Sequence, residues 1–236
     1  MKTSANLKAI ARGKLYDKLK VTAAALALET ILFSIVGKIV SVVIDNTSVY
    51  GMLMYGAILL IIQLISAVFE VGELVIFLKI SSGEMPSVRN LFDGFALHPD
   101  KAIMVGLIRT LRQFVCYIPA IIATVWYLNC GRTLVSLIAM CALYVLGAAG
   151  ALYVMIELSM VFYLYLDYPG YSARELIDAS RQIMRGHRGS YLYIILSFLP
   201  LELLGILSFG IAYLFIIPYI RMTFTEFYMD IISKNE

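Results

Sequence analysis

Residues 21–44, 52–79, 102–128 and 134–166 form four apolar runs, each long enough to cross about 30 Å of hydrocarbon as a helix, and this fixes the solvent before it fixes the fold. In lipid a backbone must satisfy its own hydrogen bonds, so such runs fold as helices. A fifth apolar region covers residues 190–232. As a single helix it would reach about 65 Å, twice what a bilayer needs. It must fold back, and Ser208, Phe209 and Gly210 offer the turn. Pro200 and Pro218 are the expected kinks in the two short spans that result, and Pro119 another in span three. The expectation is an all-α polytopic membrane bundle of six transmembrane helices. A chain with 61% hydrophobic residues, 15% charged residues and a mean hydropathy of +0.86 is too apolar for a soluble domain of 236 residues.

The placement of lysine and arginine orients these spans. Basic residues crowd three segments: the N-terminus (Lys2, Lys8, Arg12, Lys14, Lys18, Lys20), residues 79–101 and residues 174–188. The alternate connections around Asn46, Asn129 and Phe209 carry little beyond Arg132. Excess basic residues mark cytoplasmic loops, so both termini are expected in the cytoplasm. Trp126 and Tyr127 then sit at the outer interface, and Tyr163, Tyr165 and Tyr168 at the inner one. The N-terminal cations read as an anchor for anionic lipid of the cytoplasmic leaflet. The apolar run that follows them is too long for a signal peptide and lacks a small-residue cleavage site, so it is read as a retained span. A nucleic-acid partner would need a basic, aromatic-bearing soluble surface, and the sequence has none.

Cofactor and metal chemistry find no foothold. Cys116, Cys130 and Cys141 have no ligand spacing, and His98 and His187 stand in loops without companion ligands. No nucleophile with a base is visible, which argues against an enzyme.

The two internal basic connections resemble each other. Ser87, Arg89, Leu91 and Asp93 match Ser172, Arg174, Leu176 and Asp178, and each set follows a Glu-Leu pair, Glu73-Leu74 and Glu157-Leu158. A serine at such a position caps a helix by satisfying an unpaired amide of the first turn. Residues 4–19, 87–97 and 172–186 are thus expected to be three short amphipathic helices on the cytoplasmic interface, with leucine and isoleucine against lipid. The chain then reads as one membrane domain of residues 1–236, built from possible repeat units 1–80, 85–166 and 171–232.

Eight charged residues fall inside the spans at one depth: Glu29, Glu70, Glu73, Arg109, Arg112, Glu157, Arg221 and Glu226. Charge is costly there and calls for partners. Glu70 with Glu73, and Arg109 with Arg112, are spaced to share a helix face, so spans two and three are expected to meet through carboxylate and guanidinium groups. Five carboxylates against three arginines leave two negative charges, to be protonated, hydrated or matched by a bound cation. Two readings stay open: a polar collar at headgroup level, or a cytoplasm-facing vestibule for a ligand. Gly147, Gly150 and Ala151 form a small-residue patch suited to close helix packing.

From residue 158 to 231 the chain resembles the DUF975 family of small bacterial integral membrane proteins. The matching residues are Leu166-Asp167 with Pro169, the run Ser180 to Gly186, Leu196 with Phe198, Gly210-Ile211, Pro218-Tyr219 and Thr225 with Tyr228. Leu7, Lys8 and Ala11, and Leu91 to Phe95, extend the likeness towards the N-terminus. Pro200-Leu201 departs from it, where the family pattern has an aromatic residue. The resemblance implies six spans in a bacterial cytoplasmic membrane and carries no established reaction. The residues themselves favour a non-enzymatic module that binds or helps to move a lipid or other amphiphile through the charged vestibule. The alternative is an assembly protein that docks a partner on its cytoplasmic helices.

Overall fold

A computed structural model describes residues 2–44, 48–130 and 133–235. The connections containing Asn46 and Arg132 lie outside the described residues, as does the side chain of Cys130. The fold is all-helical, 85% helix, with no strand among the described residues. Its helices are α1 (Ser4–Leu15), α2 (Leu19–Val43), α3 (Val49–Ser81), α4 (Asp93–Ala96), α5 (Pro99–Cys130), α6 (Leu134–Glu157), α7 (Val161–Asp167), α8 (Ala173–Met184), α9 (Arg188–Leu196), α10 (Leu199–Leu207) and α11 (Tyr213–Asn235). A 3-10 turn, Val88–Phe92, leads into α4.

Five helical stretches of the described residues are long and apolar enough to cross a membrane. They are α2, α3, α5, the α6–α7 pair over Leu134–Asp167 and the α9–α10 pair over Arg188–Leu207. The final helix α11 carries Arg221, Glu226, Asp230 and Lys234 and is not one of the five. The turn before it falls where the sequence placed it, with positive φ at Phe209 (54°) and Gly210 (90°). Of the expected proline kinks, only the one at Pro200 coincides with a helix end. Pro119 and Pro218 sit inside continuous helices, whereas Pro200 lies in the first turn of α10, where it lacks the amide hydrogen that a continuous helix would give to the Leu196 carbonyl. The break at Ser197–Phe198 precedes it directly, and a second break at Leu158–Met160 has neither proline nor glycine.

The three short segments are ordered and capped. Thr3 caps α1, Ser87 with Asn90 closes a capping box on the 3-10 turn, and Ser172 with Glu175 closes one on α8. Their apolar residues divide between the bundle and its surface: Phe92, Phe95 and Leu97 are exposed. Leu7, Leu91 and Leu176 are fully buried in the bundle. The 3-10 turn and α4 rest on α3, α8 rests on α6 and α7, and α1 rests on α11. At Gly72 and Gly94 this packing is backbone against backbone, since a Cβ at Gly72 would overlap the Leu91 carbonyl and one at Gly94 the Val68 carbonyl. The ring of Phe69 then meets Phe33, Phe92 and Phe95 edge-on at 5.1–5.7 Å, joining α2, α3 and the connection.

Five of the six cations of the N-terminal segment, Lys2, Lys8, Arg12, Lys14 and Lys18, have partners within the protein. Lys2 pairs with Asp230, and Lys8 donates to the Ser197 carbonyl at 2.9 Å while lying over the Phe198 ring. Arg12 donates to Tyr219, and Lys18 to the Glu84 carbonyl. Lys14 reaches Glu226 at 2.7 Å and Ser81 at 3.1 Å. The segment also acts as a clamp that holds the ends of α3 and α11 and the α9–α10 break.

Candidate functional site: a charged cavity beside a helix break

A cavity of about 450 Å³ opens between α3, α5, α6–α7, α9 and α11. Close helix approach builds its charged wall. Gly106 of α5 lies so near Ala67 of α3 that a Cβ would stand 2.6 Å from the alanine methyl. Arg109, one turn further along, then reaches Glu70 and donates from Nη2 to Oε2 at 2.6 Å. The Arg109 guanidinium also lies 5.0 Å from the centre of the Phe162 ring. From the opposite side Arg221 of α11 approaches Glu73 at 3.1 Å and Glu70 at 3.8 Å. Glu29 on α2 lies beside Glu73, close enough to interact with Arg221 and Glu70 as well.

The rest of the lining is largely apolar and aromatic, with Leu74, Phe162, Ile220 and Phe224, together with the hydroxyl-bearing Tyr163 and Tyr191. Leu158 and Ser159, at the α6–α7 break, complete it. Broken backbone inside an apolar bundle is tolerated where protein or a cavity satisfies it. Here Ser180 donates to the Glu157 carbonyl and Ser159 to the Ile156 carbonyl, both at 2.8 Å. The Tyr163 hydroxyl is held by Thr225 at 3.1 Å, and Tyr191 faces Ser159. Gln63 and Gln113 carry the polar lining further along α3 and α5, Gln63 standing two turns, about 10 Å, from Glu70.

Of the eight charged residues singled out in the sequence, Glu29, Glu70, Glu73, Arg109 and Arg221 converge. The other three do not join them. Glu157 binds Arg188 at 2.6 Å and Arg181 at 3.4 Å, with Tyr153 accepting a second hydrogen bond from Arg188. Glu226 belongs to Lys14 and Ser81. Arg112 pairs with no carboxylate, and its Nη1 is buried without an acceptor among the described residues. The surplus of two negative charges counted from the sequence therefore disappears, because Glu157 and Glu226 draw on Arg181, Arg188 and Lys14. Sequence reasoning passed over Gln63 and Gln113, though an amide inside an apolar run is itself a sign of a polar partner. It had no means of finding Lys14, whose partner is 212 residues away.

Among the described residues no group of three His, Cys, Asp or Glu side chains converges as a metal site would require. Cys116 and Cys141 are free thiols, and Cys116 packs against Gly147 and Gly150, so the small-residue patch seats α5 on α6.

The family model described as a protein of unknown function, DUF975, matches residues 1–235. The chain belongs to the DUF975 family. Membership agrees with the likeness seen from residue 158 onward and extends it over essentially the whole chain. No curated protein and no solved structure matches this DUF975 chain. With its five apolar helices, the DUF975 chain is an integral membrane protein.

Proposed function

We propose that this protein is a non-enzymatic membrane module that binds, or helps to move, a lipid or other amphiphile in the cavity between α3, α5 and α11. The observation that carries this reading is the two-sided lining: an ion-paired wall of Arg109, Glu70 and Arg221 faces aromatic and aliphatic side chains beside a helix break. A volume of about 450 Å³ fits a headgroup and the first part of a tail rather than a whole lipid. Broken helices with polar groups beside the break are a recurrent way to build a substrate site within a membrane.

The topology proposed with it has six spans, α11 being the sixth, with both termini in the cytoplasm of a bacterial cell and α1, α4 and α8 at the inner interface. Three units of short helix, outgoing span and returning span describe the element order. Each returning helix carries one buried glutamate, Glu73, Glu157 or Glu226, held by a basic group. Arg174 and Arg185 on the α8 side are the cations we assign to anionic lipid of the inner leaflet.

The test is lipid analysis of the purified protein beside Ser159→Phe, which fills the cavity without touching an ion pair. A lipid enriched over the membrane average, and lost in S159F at unchanged melting temperature, supports binding. A stoichiometric protein partner with no enriched lipid would instead favour the assembly reading. That reading has the weaker footing, since Leu7 of α1, Leu91 of the 3-10 turn and Leu176 of α8 are already buried in the bundle.

A further inference from the structure

The cavity wall is unequal in charge. Two guanidinium groups, Arg109 and Arg221, line it against a single carboxylate, Glu70, which both of them already engage. Arg112 stands one turn beyond Arg109 and directly before the cavity-lining Gln113, and is not itself one of the lining residues. The remaining carboxylates have other partners: Glu73 pairs with Arg221 and has Glu29 beside it, Glu157 holds Arg181 and Arg188, and Glu226 holds Lys14. Arg112 thus stands about 20 Å along a membrane-crossing helix, with Nη1 buried and no acceptor among the described residues. A guanidinium in such a place demands an anionic partner. If the chain does not supply one, the ligand must.

We propose that the amphiphile carries an oxyanion, a phosphate or carboxylate, and that Arg112 receives it together with the unused donors of Arg109. The inference rests on the amphiphile reading and gives it a chemical class. A guanidinium offers five donors in a planar fork that matches two oxygens of one oxyanion, and Arg109 spends only part of its fork on Glu70. The side-chain amides of Gln63 and Gln113 add neutral donors beyond them. A cationic head would set its charge against the guanidinium groups of Arg109 and Arg112, and an uncharged head would leave Arg112 unpaired.

The experiment measures binding to the purified full-length protein in neutral detergent by native mass spectrometry and titration. The probes are phosphatidylglycerol, diacylglycerol with the same tails, and free glycerol phosphate. Phosphatidylglycerol is expected to bind roughly tenfold or more tightly than diacylglycerol. Arg112→Gln is expected to remove most of that difference, Arg112→Lys to retain part of it, and the exposed Lys234→Gln to leave it unchanged. Because Arg112 makes no internal ion pair, R112Q without ligand should melt no lower than the natural protein; a large drop would overturn the assignment. Equal binding of diacylglycerol, or full affinity for phosphatidylglycerol in R112Q, would overturn the oxyanion inference while leaving the amphiphile reading in place. Binding of glycerol phosphate alone would keep the oxyanion and end the amphiphile reading. Binding of none of the three would overturn both.

Discussion

Arg221 on the last helix lies 3.1 Å from Glu73 and 3.8 Å from Glu70, so one guanidinium ties two carboxylates spaced one turn apart on α3. This contact fastens the C-terminal helix to the charged wall of the cavity. Arg221→Met should destabilise the protein by about 3 kcal/mol, the lower end of the cost of stripping one partner from a buried pair, because the arginine is itself partly open to the cavity. Adding Glu73→Gln to R221M should recover part of that loss. A fully additive double mutant in thermal unfolding would show that the two side chains do not interact.

Gly72 and Gly94 allow α3 to take the following connection backbone to backbone. Gly72→Ala and Gly94→Ala should each cost about 1–3 kcal/mol through overpacking. Gly56, where an added Cβ would meet nothing within 4 Å, is the control. Gly56→Ala should stabilise by up to about 1 kcal/mol through helix propensity. Melting temperatures in one detergent check the contrast, and equal losses at Gly56 and Gly72 would refute it.

The capping box of α8 gives a pH dependence that can be measured locally. The Ser172 amide donates to the Glu175 carboxylate at 2.7 Å, and that hydrogen bond, followed by the Ser172 hydroxyl, holds the carboxyl below the usual glutamate range. A depressed folded value means that the contribution is complete above the ordinary value of 4.5 and is lost as the pH falls through the lowered one. Hydrogen exchange at the first turn of α8 should therefore rise, relative to the intrinsic rate, on acidification below about pH 4.5, the ordinary glutamate range. Glu175→Gln should flatten the response, and an unchanged profile in E175Q would assign it to another group.

Much of the bundle was legible because bilayer length is written directly into the sequence. The run at 21–44 became Leu19–Val43 and the run at 52–79 became Val49–Ser81. The turn at Ser208 to Gly210 was legible for the same reason, since a helix twice the bilayer length cannot stay straight. The break at Ser197 was marked by Pro200 three residues on, whereas the one after Glu157 left no such mark. They are held by tertiary contacts, the Ser180 hydroxyl at one and the Lys8 ammonium at the other, from residues 23 and 189 positions away. The charge cluster was half legible. Helical spacing put Glu70 and Glu73 on one face, but no spacing rule shows that Glu157 will turn to α8 and Glu226 to α1. That division removed the two leftover negative charges, leaving Glu29, Glu70 and Glu73 against Arg109, Arg112 and Arg221.

Sidedness is testable on the two ends that the structure sets apart. In a background without other cysteines, Tyr50→Cys, at the start of α3, should react with a membrane-impermeant thiol reagent from outside the cell. Ser233→Cys, near the end of α11, should react only after permeabilisation. Labelling of both from outside would remove α11 as the sixth span.

The clamp made by α1 gives the last prediction. Lys14 supplies a cation to Glu226, which is only 4% exposed and has the Ser81 hydroxyl, at 2.7 Å, as its other partner. Lys14→Met leaves a buried carboxylate short of its counter-charge and should cost about 3 kcal/mol, whereas Lys14→Met with Glu226→Met should return most of it, since an apolar pair of similar volume fills the same space without desolvating two charges. The loss should be local before it is global. Because α1 also holds the ends of α3 and α11, limited proteolysis should cut between α1 and α2 in K14M under conditions that leave the double variant intact. If the two variants are cut at equal rates, the ion pair is not what seats α1, and its buried Leu7, Ala11 and Leu15 hold it instead.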